Sequence, residues 1–144
     1  MEKLMLLGNL VIGAYLTGLI WTVQMVHYPL FNMADRANFS AFESEHSLRI
    51  SSIVLVPMLL ELVLSGLTLT SSLEPRWLPW LSAGLVGVIW LSTFFLQVPQ
   101  HSVLSGGFDQ KAYELLVSTN WIRTVAWTVK TGLLAWMTYR IINV

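Results

Sequence analysis

The sequence contains no cysteine and few charged residues, and both deficits restrict what this chain can do. Without cysteine it forms no disulfide, no thiolate metal site and no cysteine nucleophile. Charged residues make up 11% of the 144 residues, whereas about 25% is usual in globular domains. The formal net charge is zero and no basic run occurs, so nucleic acid is not an expected partner.

Apolar residues are abundant instead. They make up 55% of the chain, and the mean hydropathy is +0.64. Four apolar segments occupy residues 4–26, 50–69, 78–96 and 121–142, each close to the roughly 20 residues that a membrane-spanning helix needs. The sequence therefore predicts an all-α integral membrane four-helix bundle, a single transmembrane domain over residues 1–144. Its location would be the cell membrane, as a multi-pass protein with the lipid bilayer as partner. The first segment is too long for a signal peptide and is expected to be retained.

Prolines and capping residues predict the helix boundaries. Pro29 is expected to end the first helix, and Pro99 to break or kink the third. Ser40 and Glu43 have capping-box spacing, which places the start of the second helix near residue 42. Asp109 is a candidate N-cap of a short separate helix before the fourth. The predicted helices are about 4–28, 42–70, 78–97 and 120–142, and they form two long-looped hairpins.

Glu61 lies in the middle of the second apolar segment, where a carboxylate facing lipid would be costly. We therefore expect it to face the bundle interior. Pro57 leaves the Ile53 carbonyl without its helical partner, which predicts an unpaired acceptor nearby. Lys130 lies equally deep in the fourth segment and is a candidate partner for Glu61. The alternatives are a hydrogen bond to Glu61 from a hydroxyl such as Ser65 or Thr131, and a Lys130 side chain that reaches the membrane interface.

A second group of polar residues falls at one common end of the four predicted helices. Its members are Gln24, His27, Tyr28, His46, Arg49, Gln97, His101, Asn120 and Arg123. The three histidines, His27, His46 and His101, are candidate ligands of a transition metal, with Glu61, Glu43 or water completing the shell. The alternative is that they are interfacial side chains bonded to loop carbonyls.

The same polar residues are the candidate functional site. Glu61, His46 and Arg123 are the candidate catalytic residues, and the candidate ligand-binding residues are Gln24, Tyr28, Arg49, Gln97, Asn120 and Lys130. Arg49 and Arg123 could hold an anionic group of a substrate, or alternatively contact lipid phosphate.

The two halves of the chain show a weak similarity. Aligning them places Gln24 on Gln97, His27 on His101, His46 on Asn120 and Arg49 on Arg123. This pattern favours two hairpins related as a parallel repeat, and chance similarity is the alternative.

Four short motifs carry a resemblance to a family. They are QMVHYPLF at 24–31, a helix containing Pro57 and Glu61, QVPQH at 97–101 and STNWIRT at 118–124. Together they resemble small bacterial four-helix membrane proteins, and the second half more distantly resembles anthrone-oxygenase-like membrane proteins. The resemblance implies an integral membrane four-helix bundle.

The leading functional hypothesis is a membrane oxidoreductase acting on a small hydrophobic or amphipathic substrate that enters between the helices. A second hypothesis is a small transporter or proton-relay protein in which Glu61 and Lys130 exchange protons. A structural or assembly subunit is the third. The short connections carry Lys3, Arg76 and Arg140, while the long ones are richer in acidic residues, which predicts cytoplasmic termini.

Overall fold

The computed structural model describes residues 1–143, and within that range the chain is all-α. Four helical elements follow one another: α1 (Glu2–Phe31), α2 (Arg36–Leu69), α3 (Trp77–Leu104) and α4 (Gln110–Ile142). The all-α prediction is confirmed. Three of the four elements, α1 to α3, are long and apolar enough to cross a membrane, whereas α4 is less apolar and is not among them.

The helices pack so that each one contacts two others. Both α1 and α3 lie between α2 and α4, which places α2 and α4 diagonally opposite each other. The chain start, the end of α4 and the connection 70–76 meet at one end, which we call the terminal end. There the Glu2 carboxylate accepts hydrogen bonds from the Ser72 amide and hydroxyl, at 2.6 and 2.9 Å.

The connections 32–35 and 105–109 meet at the opposite end, which we call the loop end. The Arg36 guanidinium stacks 3.3 Å from the centre of the Phe108 ring. The Ser40 hydroxyl donates to the Ser105 carbonyl at 2.5 Å. These contacts join the start of α2 to the connection 105–109.

Pro29 does not end α1, and that prediction is wrong. Residues Val23–His27 form a π-helical segment in which the Tyr28 amide bonds to the Val23 carbonyl. A π segment accommodates one extra residue within a continuous helix. Pro29 then falls in the first turn of the α-helical segment that follows, where its missing N–H costs least. The helix therefore continues to Phe31 instead of ending at residue 28.

The same arrangement occurs in α3, so Pro99 does not break that helix at residue 97 either. Residues Thr93–Gln97 are π-helical, the Val98 amide bonds to the Thr93 carbonyl, and Pro99 follows. The shared order of π segment and proline aligns His27 with Gln97, rather than with His101 as predicted from the sequence. The alignment of these two helices predicted from the sequence is therefore shifted by about one turn from the alignment that the structure gives.

The other two helices begin earlier than predicted, near residues 39 and 110 instead of 42 and 120. In α2, a 3-10 turn at Arg36–Asn38 leads into the α-helix at Phe39, and the predicted Ser40–Glu43 capping box does not form. In α4, Asp109 caps the helix by accepting from the Ala112 amide at 2.7 Å. The helix it starts runs without interruption to Ile142. As a result, the connections predicted to be long are short.

Several charged and amide side chains are buried inside the bundle, and many apolar side chains are exposed on its outer surface. Asn9, Glu43, Glu61, Asn120 and Lys130 have no exposed surface. Large apolar side chains on all four helices are exposed, including Val11, Val56, Leu91 and Val125 at more than half of their surface. Two apolar clusters fill the interior towards either end, one around Phe31, Leu116 and Trp127 and one around Leu6 and Leu134.

Candidate functional site

A buried carboxylate on α2 organises the loop end of the bundle. Glu43 has no exposed surface, and its Oε1 lies 2.6 Å from Nδ1 of His101 on α3. The same oxygen accepts from the Ser47 hydroxyl at 2.9 Å, one turn further along α2. Since a carboxylate only accepts hydrogen bonds, a neutral His101 carries its proton on Nδ1 and presents Nε2 as an acceptor.

Tyr28 on α1 completes a chain of three side chains. Its hydroxyl oxygen lies 3.2 Å from His101 Nε2 and is therefore placed to donate to that nitrogen. Tyr28 is 2% exposed, and the His101 side chain is 19% exposed. In the chain Glu43–His101–Tyr28, the carboxylate of Glu43 orients the imidazole of His101. That imidazole can in turn take the proton of the Tyr28 hydroxyl. The π segment of α1 ends directly before Tyr28 and sets the helix face on which the side chain lies.

Arg123 on α4 lies beside this chain and is only 8% exposed. Its Nε and Nη2 donate to Asn120 Oδ1 at 2.9 and 2.5 Å. Its other contacts are long: 3.5 Å to the Tyr28 hydroxyl and 3.4 Å to the Thr93 hydroxyl. No carboxylate forms an ion pair with Arg123 within residues 1–143. A buried guanidinium is thus held by neutral oxygens alone.

The hydrogen bonds behind Arg123 fix the orientation of two amides. Arginine only donates, so Asn120 must turn its oxygen to Arg123 and its amide nitrogen away from it. That nitrogen donates to Gln24 Oε1 at 2.7 Å, and Gln24 Nε2 donates to the Val117 carbonyl at 3.2 Å. Gln24 and Asn120 therefore hold Arg123 in place from behind, between α1 and α4.

The side-chain amide oxygen of Gln97 on α3 accepts no hydrogen bond from the described residues. Its Nε2 donates to the Thr119 hydroxyl at 2.9 Å, and that hydroxyl donates in turn to the Leu115 carbonyl at 2.6 Å. Because the hydroxyl proton of Thr119 is already used, the Gln97 amide cannot turn over without losing this bond. Gln97 is 1% exposed, and its Oε1 has no hydrogen-bond partner among the described residues.

These polar groups line one wall of an otherwise apolar cavity of about 140 Å³. Tyr28, Thr93, Gln97, His101 and Arg123 contribute the polar wall. The remaining lining is mostly apolar and comes from all four helices: Leu16, Leu19, Ile20, Val23, Ile50, Val54, Met58, Val98 and Trp127, with the hydroxyl residue Ser51. Ser51 on α2 and Val98 on α3 are also exposed on the outer surface, so the cavity opens sideways between these two helices.

Comparison of the chain with protein-family models, with curated proteins and with solved structures finds no match. The geometry of the site therefore carries the functional argument.

A separate charged group lies on the axis of the bundle, between the two apolar clusters. Lys130 Nζ is 3.0 Å from Glu61 Oε1 and 2.9 Å from Asn9 Oδ1. The Trp127 indole donates to Glu61 Oε2 at 3.0 Å. The Asn9 amide nitrogen donates to the Ser65 hydroxyl at 3.3 Å. As expected, Glu61 faces the interior and contacts the fourth helix. Neither Glu61 nor Lys130 lines the cavity.

The three histidines gather at the loop end, but they do not form the predicted metal site. His27 Nε2 and His46 Nδ1 are in direct contact at 2.7 Å. Two nitrogen ligands of a tetrahedral zinc ion lie roughly 3.3 Å apart, because each Zn–N bond is about 2.0 Å long. His101 is engaged by Glu43 and Tyr28. Over residues 1–143, no three His, Asp or Glu side chains are grouped so as to hold a metal ion.

The structure thus divides the candidate residues into five groups. Tyr28, Gln97, His101 and Arg123 line the cavity, and Gln24 and Asn120 support Arg123. His27 and His46 form a pair beside it, and Glu61 with Lys130 forms the central ion pair. Arg49 lies on the surface, where it pairs with Glu45 at 2.6 Å.

Sequence reasoning missed three residues of the site. The sequence predicts Glu43 only as a helix cap or an optional metal ligand, and it predicts neither a role for Thr93 nor the contact of Trp127 with Glu61. One signal was present for Glu43. It precedes His46 by three residues, so in a helix that starts at Phe39 both side chains lie on one face.

Proposed function

We propose that the protein is a multi-pass membrane protein in which all four helices span the bilayer. Three helices are long and apolar enough, and α4, which carries Arg123 and Lys130, is not among them. Both of these side chains are buried, whereas Val125 and Val129 on the same helix are about half exposed. A helix with its charges turned inward presents an apolar surface to lipid. Resistance of the protein to extraction from membranes by alkaline carbonate tests this proposal.

We further propose that the termini are cytoplasmic. Lys3, Arg76 and Arg140 lie at the terminal end with Glu2 and Glu74. The loop end carries three basic residues as well, but more acidic ones: Arg36, Arg49 and Lys111 with Asp35, Glu43, Glu45, Asp109 and Glu114. Lysine and arginine are retained preferentially on the cytoplasmic side. A reporter fused after the chain should be active in the cytoplasm, and activity on the outer side would reverse the orientation.

Within this bundle, we propose that the cavity binds a small amphipathic molecule and that Tyr28 transfers a proton to or from it. The observation that carries this proposal is the Glu43–His101–Tyr28 chain, which ends at the wall of the cavity. Its members come from three helices, and each is held by packing inside the bundle. Such a preorganised chain is characteristic of general acid–base catalysis.

The proton step follows from the donor and acceptor order. A substrate C–H next to a carbonyl lies against the Tyr28 hydroxyl oxygen, which accepts that proton. Tyr28 passes its own proton to His101 Nε2, and the imidazolium formed is stabilised by the Glu43 carboxylate. The electron pair of the broken C–H bond moves to the substrate oxygen, which becomes an enolate. The substrate loses one proton and His101 gains one, so the step balances.

Arg123 supplies the stabilisation that this step needs. Negative charge develops on the substrate oxygen, and the guanidinium is the buried cation in the cavity wall. A fixed donor in a site shielded from water stabilises such a charge far more than it would in bulk solvent. Arg123 has no carboxylate partner in the described chain, so its charge is available to the substrate.

The oxidoreductase class predicted from sequence remains a prediction. The residues of the cavity account for moving a proton, and an oxidation would require an external electron acceptor in addition. A transmembrane proton relay receives less support. Among residues 1–143, the hydrogen bond that links Glu61 towards the cavity comes from the Trp127 indole, which donates but does not accept, so this bond does not relay a proton.

The proposal is tested by following deuterium loss from ring-deuterated cyclohexanone, a single-ring ketone, in detergent-solubilised protein. We expect the wild type to accelerate the loss and Tyr28→Phe to reduce the acceleration by at least roughly 10²-fold. Tyr139→Phe is the matched control, because Tyr139 is 61% exposed and lies near the terminal end. No acceleration by the wild type, or an unchanged rate in Tyr28→Phe, would contradict the proposal.

A further inference from the structure

The cavity has features that define its ligand more narrowly than "small and amphipathic". Its size is limited, and two of its lining residues are unsatisfied within residues 1–143: Arg123 is a buried cation without a counter-charge, and the buried amide oxygen of Gln97 has no donor. Each of these three features restricts the chemistry of a ligand that could occupy the cavity. The identity of that molecule rests on the proposed function, because it is the substrate of that same site.

The volume limits the ligand to one ring. An apolar protein cavity of about 150 Å³ holds a single benzene molecule, and the cavity here measures about 140 Å³. Fused-ring systems are too large to be enclosed. Substituents can extend through the opening between Ser51 and Val98, which faces lipid in the proposed membrane-spanning arrangement.

Arg123 requires an oxygen that carries negative charge. A buried cation is costly unless an opposite charge compensates it. Asn120 supplies one neutral oxygen at hydrogen-bond distance, and the contacts to Tyr28 and Thr93 are long. An enolate or phenolate oxygen in the cavity would both accept from the guanidinium and neutralise it.

Gln97 requires a donor. Its Oε1 is buried and unpartnered among the described residues, and the orientation of its amide is fixed by Thr119. A buried unsatisfied acceptor costs free energy that a ligand hydroxyl would recover.

From these three features we propose that the substrate is a hydroxylated single-ring ketone. Its enolate oxygen faces Arg123, and its hydroxyl donates to Gln97 Oε1. The ring lies against the apolar wall formed by residues such as Met58 and Trp127. Phenolates have the planar shape and charge of such an enolate, so hydroxylated phenols should act as stable mimics of the reaction intermediate.

The test uses two coloured probes that differ by one hydroxyl, 4-nitrocatechol and 4-nitrophenol. Each absorbs at longer wavelength when ionised, so the spectrum reports whether the bound form is the anion. At a pH where the free probe is neutral, the wild type should bind 4-nitrocatechol with the spectrum of the anion. We expect 4-nitrophenol to bind roughly tenfold more weakly, because it lacks the donor for Gln97.

Two variants assign the two contacts. Arg123→Gln should abolish the anion spectrum, whereas Arg49→Gln should retain it, because Arg49 is exposed and already paired with Glu45. Gln97→Leu should remove the difference in affinity between the probes while keeping the anion spectrum. Equal affinity of the wild type for both probes, or an anion spectrum in Arg123→Gln, would overturn the inference.

The outcome can be separated from that of the proposed function. If Tyr28→Phe binds the 4-nitrocatechol anion normally but has lost deuterium exchange, both proposals hold. If the wild type binds the anion as described but catalyses no exchange, the substrate inference stands and the proton-transfer function fails. If exchange occurs and depends on Tyr28 but Gln97→Leu leaves probe preference unchanged, the function stands and the inference fails.

Discussion

Lys130 Nζ lies 3.0 Å from Glu61 Oε1 on the axis of the bundle, and neither side chain has any exposed surface. The two residues come from α4 and α2, which face each other diagonally and do not pack directly. Their side chains therefore meet across the interior that the other two helices enclose. This ion pair connects the helix that carries Arg123 to the helix that carries Glu43.

Removing one member of this pair should destabilise the protein far more than removing both. Glu61→Leu leaves Lys130 as an uncompensated buried charge, which costs about 3–5 kcal/mol, whereas an apolar pair of similar volume is often neutral. We expect Glu61→Leu and Lys130→Met each to unfold at clearly lower temperature, and the double variant to recover most of the loss. The unfolding temperature of Glu61→Gln should lie between those of the wild type and Glu61→Leu, because an amide oxygen still accepts a hydrogen bond from Lys130. Thermal unfolding in detergent measures this, and additive losses in the double variant would contradict it.

The carbonyl released by Pro57 is used by a side chain from another helix. The Tyr15 hydroxyl on α1 donates to the Ile53 carbonyl at 3.3 Å. In Pro57→Ala, the alanine amide would supply the normal helical partner of that carbonyl. We therefore expect Tyr15→Phe to cost about 1 kcal/mol in the wild type and much less in the Pro57→Ala background. A double-mutant cycle of unfolding free energies checks this, and equal costs in both backgrounds would show that the contact is not energetically coupled to Pro57.

The interior positions of Glu61 and Lys130 could be predicted from the sequence because lipid imposes a simple condition. An ionisable group within an apolar segment must face inward, whatever the details of packing. The acceptor left free by Pro57 followed from local covalent chemistry in the same way. Its donor, Tyr15, could not be predicted, because the rotation of α1 against α2 depends on packing along the whole length of both helices.

The helix ends near Pro29 and Pro99 were predicted wrongly for a physical reason. The rule that proline ends a helix assumes regular α-helical hydrogen bonds in the preceding turn. In both helices a π segment changes that pattern, so the chain continues and shifts the face on which later residues lie. The position of His101 next to Tyr28 and Glu43 depends on this shift. Periodicity based on 3.6 residues per turn therefore could not place the site.

Glu43 should act by positioning His101 rather than by contacting the substrate, since it does not line the cavity. Glu43→Gln removes the negative charge that stabilises a protonated His101 and leaves the shape of the side chain almost unchanged. We expect ketone exchange to fall by roughly 10²-fold while the affinity for 4-nitrocatechol stays within about twofold of wild type. Ser47→Ala is the control, because it removes only the second hydrogen bond to Glu43. Weakened probe binding in Glu43→Gln would indicate a structural role instead.

The direct contact of His27 with His46 predicts the metal content of the purified protein. A metal ion would have to separate nitrogens that lie 2.7 Å apart and remove His101 from Glu43. We therefore expect elemental analysis to find less than stoichiometric zinc, copper or iron, and His46→Ala to leave that content unchanged. One equivalent of metal that disappears in His46→Ala would show that the histidines rearrange into a metal centre.

Filling the cavity should prevent binding without harming the fold. Val54 on α2 lines the cavity on its apolar side, and the space beside it allows a phenylalanine ring to enter. Val54→Phe should therefore weaken 4-nitrocatechol binding by at least roughly tenfold, while the added apolar packing inside the cavity keeps the unfolding temperature at or above that of wild type. Val56→Phe makes the same change at a position 59% exposed on the outer surface and should leave binding unaffected. If Val54→Phe binds the probe as tightly as Val56→Phe does, the probe does not occupy this cavity, and the assignment of Tyr28, Gln97 and Arg123 to a common binding site would be wrong.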